Sequence, residues 1–145
     1  MPRRADPPVS RRIEIDQPSL ERVVFRFVRV DNQNNAALIE DFRSDAARGK
    51  TPRGRSAALP GHIDGMSAFR TLDLARERWR DIASLARRTL PAGPVRVGEH
   101  IAEVALTAGA GFACEDLEHP SGHLTIWGDP AALARAVLDI LPAEL

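Results

Sequence analysis

The stretch that most constrains this chain runs from Asp64 to Leu90, DGMSAFRTLDLARERWRDIASLARRTL. It reads as a short buried strand, Gly65 to Phe69, that turns at Arg70-Thr71 directly into the longest amphipathic helix of the sequence. Thr71 suits the helix N-cap, and Asp73 puts a negative charge in the first turn, where the helix dipole favours it. Leu72, Ala75, Trp79, Ile82, Ala83 and Ala86 then recur at helical spacing and form one apolar stripe, while Arg76, Arg78, Arg80, Arg87 and Arg88 occupy the opposite face. A strand that delivers its last residues to a helix N-terminus is a common place for a ligand site and is equally ordinary packing.

Upstream, residues 1–20 hold four prolines and four arginines with little apolar periodicity, the composition of a flexible Arg/Pro-rich tail, so the domain is expected over 21–145. VVFRFVRV at Val23 to Val30 alternates as a central strand, with Arg26 and Arg29 as its polar exceptions. The turn DNQNN predicts a helix from about Asn35 to Arg48, stopped by Gly49. GKTPRGRSAALPGHID follows as a basic loop, and a loop this long is often functional. After the central unit, VRVGEHIAEVAL reads as a strand with Gly98 at a bend, GFACEDLE as a short strand and HLTIWGD as another. Asp129-Pro130 opens a last helix whose inner stripe is Leu133, Ala134, Val137, Leu138 and Leu141. The order predicts an α+β single domain, with a mixed or antiparallel sheet of 4–6 strands and three helices, rather than a doubly wound parallel sheet.

Length and composition agree: 145 residues with 43% hydrophobic content suffice for one domain with its own core. No run of about 18 apolar residues occurs, which argues against a membrane span, and MPRRADPPVSRR lacks the apolar segment of a secretion signal, so a cytoplasmic protein is expected. Cys114 is the sole cysteine, which excludes an internal disulfide. Net charge is zero but unevenly spread: residues 1–98 carry 19 basic and 12 acidic residues, whereas residues 99–145 carry Arg135 against 8 acids. Such a split describes either a positive face for phosphates or nucleic acid, or two halves that neutralise one another on packing.

Gly49-Lys50-Thr51 ends like a phosphate-binding P-loop, but the earlier glycine of that motif would fall at Ser44 and the loop would end a helix instead of preceding one. The loop cations Arg48, Lys50, Arg53 and Arg55 remain candidates for a nucleic-acid backbone or an acidic protein. Cys114, Asp116, His119 and His123 are zinc-ligand types at a spacing that matches no specific zinc signature, so no metal is expected. There is no Gly-x-Ser-x-Gly elbow.

One arrangement fits better. A first strand with Arg26 or Arg29, a second with Ser67 in GMSAF, then a helix and a later strand with Glu99 and Glu103 present a cation, a hydroxyl and a carboxylate in chain order. In element order, from about Val23 to Leu141, the chain resembles small bacterial ADP-ribosyltransferase-like domains. There an Arg or His on the first strand, a Ser, Thr or Tyr on the second and a Glu on a later strand bind and activate NAD. The resemblance implies that Arg26 or Arg29 holds the pyrophosphate, Ser67 meets the nicotinamide ribose, Glu103 or Glu99 steadies the oxocarbenium charge, and Phe69 or Trp127 stands in for the stacking tyrosine. The chain departs from that pattern in lacking a second hydroxyl two residues after Ser67, a late E-x-E or Q-x-E pair, and any tyrosine.

Each residue also has a plainer reading. Ser67 can simply bond to backbone, Arg26 and Arg29 can meet Asp31, Glu40 or Asp41, Glu103 can face water, and Trp79 belongs in the core. The alternative function is therefore a non-enzymatic interaction module that docks an acidic protein or nucleic acid through its arginine-rich face.

Overall fold

A computed structural model describes residues 11–29, 39–44, 65–89, 95, 97–116 and 122–144. Seven strands form one sheet: β1 (Arg12–Glu14), β2 (Arg22–Val28), β3 (Met66–Phe69), β4 (His100–Leu106), β5 (Ala113–Glu115), β6 (His123–Trp127) and β7 (Val137–Pro142). Their spatial order is β1-β5-β6-β3-β2-β4-β7. Every neighbouring pair is antiparallel, so the α+β class stands, with seven strands where four to six were expected. Helical residues occur at 39–41, in α1 (Leu72–Thr89) and in α2 (Pro130–Arg135), and a single 3-10 turn covers Pro18–Leu20. No described helix is long and apolar enough to cross a membrane.

The strand-to-helix unit forms as its residues dictate. Thr71 Oγ1 accepts from Leu74 N at 3.2 Å as an N-cap, and α1 lays Ala75, Trp79 and Ala83 against the sheet. α1 carries the chain from β3 across β2 to β4, two strands that run the same way, so a helix crossover is the connection the geometry requires. Trp79 is 1% exposed, and its ring N–H donates to Gly98 O at 2.7 Å, which satisfies the indole in the core.

Alternation along the strands divides the core in two. Phe69, Ile101, Phe25 and Phe27 pack under α1 with Trp79. Val24, Val28, Met66, Ala68, Ala102, Val104, Leu124 and Ile126 line the other face, covered by Phe42, Phe112, Leu133 and Ile15. Cys114 lies wholly buried in this second layer, where burial pushes its thiol pKa up, against the lowering influence of the Arg22 charge.

One expectation, for the C-terminal end, is corrected. The last helix stops at Arg135, because Ala136 closes it with bonds to Ala132 O, Leu133 O and Ala134 O, while Ala136 O accepts from Ala105 N. The chain is thereby docked on the open edge of β4, and Val137–Pro142 extends as a seventh strand with a register shift at Glu103/Val104. Within the stretch read as a tail, Arg12–Glu14 pairs with β5, and Ile15 N donates to Phe112 O at 2.8 Å. Most of the predicted 35–48 helix, the 49–64 loop with Lys50, Arg53 and Arg55, and also Arg48 and His119, lie outside the described residues.

Candidate functional site

β2 and β3 are neighbours, but they pair at one position only, Phe25↔Phe69. β3 is joined instead to β6, along four positions from Met66↔Ile126 to Phe69↔His123. Beyond Phe25 the ladder between β2 and β3 lapses, and a side chain takes it over. Arg26 Nη1 donates to Ser67 O at 2.7 Å, while Nε and Nη2 donate to Asp41 O at 3.0 and 2.8 Å. The guanidinium also lies 5.9 Å from the centre of the Phe42 ring. Asp41 Oδ2 in turn accepts from Arg29 N at 3.0 Å, so residues 39–44 are clamped to the end of β2. Asp41 does meet both arginines, through main-chain atoms on one side of each contact.

Ser67 faces the other way from Met66 and Ala68, and it is exposed. Its Oγ stands 3.0 Å from His123 Nε2. The imidazole is held from below by Phe69, edge-on at 5.7 Å and 81°, and Phe69 packs in turn on Phe27 at 5.3 Å. On the far side of β6 a buried carboxylate replaces a strand: the β5–β6 register ends at Cys114↔Ile126, and Thr125 N then donates to Glu115 Oε1 at 2.7 Å. Glu115 is 1% exposed, and Thr125 is the register partner of Ser67. The hydroxyl–imidazole pair therefore sits on strands fixed from both sides.

The remaining predicted site residues are placed apart from this pair. Glu103 is opposite Phe25 on β4, so β2 lies between it and β3, about 10 Å across at the usual strand spacing. Arg26 alternates onto the opposite face from Glu103, with Val24 and Val28, and reaches Ser67 through the main-chain carbonyl alone. Glu99 precedes β4, exposed, with its carbonyl taken by Ala143 N at 3.0 Å. Arg29 is exposed at the end of β2. Phe69 is 4% exposed and offers no open ring face for stacking. Trp127 is 4% exposed, with the Arg12 guanidinium 5.2 Å from its ring centre.

His123 was singled out from sequence only as a zinc-ligand type. It lies on the α1 side of the sheet, whereas Cys114 is sealed on the other, and among the described residues no three His, Cys, Asp or Glu side chains converge on a metal position. A cleft of about 330 Å³ opens where β2 begins and β5 ends, with Arg22 and Arg70 at its walls and Val24 and Leu124 at its base. Its acids answer internal donors: Glu21 Oε2 accepts from Ala108 N at 2.8 Å and Asp116 Oδ1 from Arg11 N at 2.7 Å. The Arg11 main-chain N–H holds the Asp116 carboxyl below the usual range. Comparison with known proteins finds no matching family model, no similar curated protein and no similar solved structure.

Proposed function

We propose that this chain is an NAD-using, ADP-ribosyltransferase-like protein whose site is the Ser67–His123 pair beside the β2–β3 junction. The observation that carries the reading is the contact of Arg26 on β2 with the Ser67 carbonyl on β3 where main-chain pairing stops, with the Ser67 hydroxyl left exposed and hydrogen-bonded to an imidazole. The chain order, cation then hydroxyl on adjacent strands, is the one expected of the ADP-ribosyltransferase-like layout, although Arg26 meets the Ser67 carbonyl from the face opposite Oγ.

The roles shift from those expected of the sequence. Arg26 is a positioning residue, since three of its N–H groups are spent on main-chain carbonyls. The exposed Arg29 takes the pyrophosphate charge, and Ser67 and His123 address the nicotinamide ribose. Glu103 stands too far from Ser67 to steady an oxocarbenium centre there, so the imidazole is the polar group beside the reacting carbon.

The test is direct. NAD at about 100 times its Kd stabilises by about 2.7 kcal/mol, a rise in Tm on the order of 8 °C for a chain of this length. Nicotinamide release should accompany it and be lost in Ser67→Ala and His123→Ala. No shift and no release at millimolar NAD sinks the reading.

A second reading, an interaction module for an acidic protein or nucleic acid, is favoured by α1: Arg78, Arg80 and Arg88 are exposed there, and among the described residues they make no ion pair. Binding of this kind weakens steadily with salt and with each arginine removed, independently of Ser67.

A further inference from the structure

We infer that Ser67 is itself an acceptor for the ADP-ribosyl group, with His123 as its base; this rests on the NAD reading above and goes beyond it. Transfer needs a nucleophile aimed at C1′ of the nicotinamide ribose and a base for its proton. A carboxylate could take the proton of a hydroxyl brought by another molecule, but Glu103 of the predicted set is a strand removed from β3. What stands at the junction is the chain's own hydroxyl, at hydrogen-bonding distance from a nitrogen base.

Three features favour this hydroxyl over the others of the described chain. Ser67 is exposed, so an electrophile reaches Oγ from solvent. Its base is pre-aligned: His123 is paired to β3 through Phe69, its ring is set edge-on against Phe69, and Nε2 points at Oγ over 3.0 Å. Thr125, opposite Ser67 on β6, is only 6% exposed, and Thr71, the next hydroxyl along the chain, already serves as an acceptor for Leu74 N at the start of α1.

The step balances with NAD as the only co-reactant. The bond between C1′ and the pyridinium nitrogen breaks, and its electron pair leaves with nicotinamide. Ser67 Oγ forms the new bond to C1′ and gives its proton to His123 Nε2, which passes it to solvent. The products are an O-linked ADP-ribosyl serine, nicotinamide and one proton.

The experiment incubates the full chain with NAD and reads three quantities: Tm, released nicotinamide, and the mass of the intact protein with its modified peptide. The expected result is an adduct of one ADP-ribosyl group, mapped to Ser67 and resistant to neutral hydroxylamine, which strips esters from carboxylates but leaves an acetal. Ser67→Ala abolishes that adduct, and His123→Gln, which keeps a hydrogen-bonding amide but no base, slows its formation by about a hundredfold. Nicotinamide release without a Ser67 adduct overturns the inference and leaves the NAD reading standing. An adduct on another residue that persists in Ser67→Ala overturns the inference and, because nicotinamide release then persists as well, also the placing of the NAD site at Ser67. Neither a Tm shift nor nicotinamide release overturns both.

Discussion

β2 is held in two different ways on its two sides. Toward β4 every residue from Arg22 to Val28 has a register partner, and the alternation of Val24, Val28, Ala102 and Val104 on one face with Phe25, Phe27 and Ile101 on the other suffices to specify the match. Toward β3 there is one paired position, and the separation beyond it is spanned by the Arg26 side chain. Where main-chain groups bond one another the sheet needs only shape and alternation. Where they do not, polar side chains must satisfy the leftover carbonyls, and polar side chains on a rigid frame are what a chemical site is made from.

The intact side should break most severely at Gly98. Its φ of +99° belongs to glycine, and a Cβ there would run into the main-chain carbonyl of Val28, at the end of the β2–β4 ladder. Gly98→Ala is expected to cost about 4 kcal/mol or to prevent folding, read as loss of the thermal transition. A change below about 1 kcal/mol would mean that the turn before β4 has room that the geometry denies.

On the weaker side the test is Arg26→Met, which keeps the chain's length and apolar stem but leaves Asp41 O and Ser67 O without their donor. The expected loss is about 3 kcal/mol by urea denaturation. Hydrogen exchange should quicken in residues 39–44 and β3 before β4 is affected. Uniform loosening of β2 on both sides would show that Arg26 acts through the whole sheet and not at the junction.

A smaller effect is expected where α1 braces the intact side. Trp79→Phe retains most of the buried ring but removes the donor to Gly98 O, at a cost of about 1–2 kcal/mol. The same measurement on the β3 side should show little change in exchange at Ser67, because that contact belongs to the β4 turn.

These contrasts also explain what could be read from residue order alone. β2, β3, α1, the second half of the 95–106 strand and β6 follow from periodicity, because each buries a face along its whole length. β1 is three residues long, too short to carry a period, and Asp129-Pro130 correctly opens α2 but gives no warning that Val137–Leu141 will be claimed by the free edge of β4. Local preference for helix there loses to a strand already waiting for a partner. Ser67 was legible as a polar residue on a strand otherwise apolar. Its partner was not, since 56 residues separate it from His123 and only the β3–β6 register joins them. Glu103 stands a strand away from Ser67 for the related reason that chain order does not say which strands end up between two residues.

β1 extends the comparison to its mildest case, a strand with a ladder of three positions reinforced by one side chain. Arg11 N donates to Asp116 Oδ1 at 2.7 Å and Arg11 Nε to Oδ2 at 3.2 Å, while Asp116 N returns a bond to Arg11 O at 2.9 Å. The Arg11 main-chain N–H is the leading cause of the lowered Asp116 pKa, with desolvation opposing it. A carboxylate whose folded pKa is depressed binds its proton less readily when folded than when unfolded. Its contribution is therefore complete above the unfolded carboxylate pKa of about 3.9 and is lost as pH falls below that value through the folded one. Because Arg11 is 76% exposed, the effect is local and small. Amide protection in β1, corrected for the intrinsic exchange rate, should fall as pH drops below about 4 while α1 and β4 keep theirs. Asp116→Asn should lower that protection already at neutral pH and remove its dependence on acid. Protection in β1 that is indifferent to both changes would assign the attachment of this strand to its ladder with β5 and to Ile15 alone.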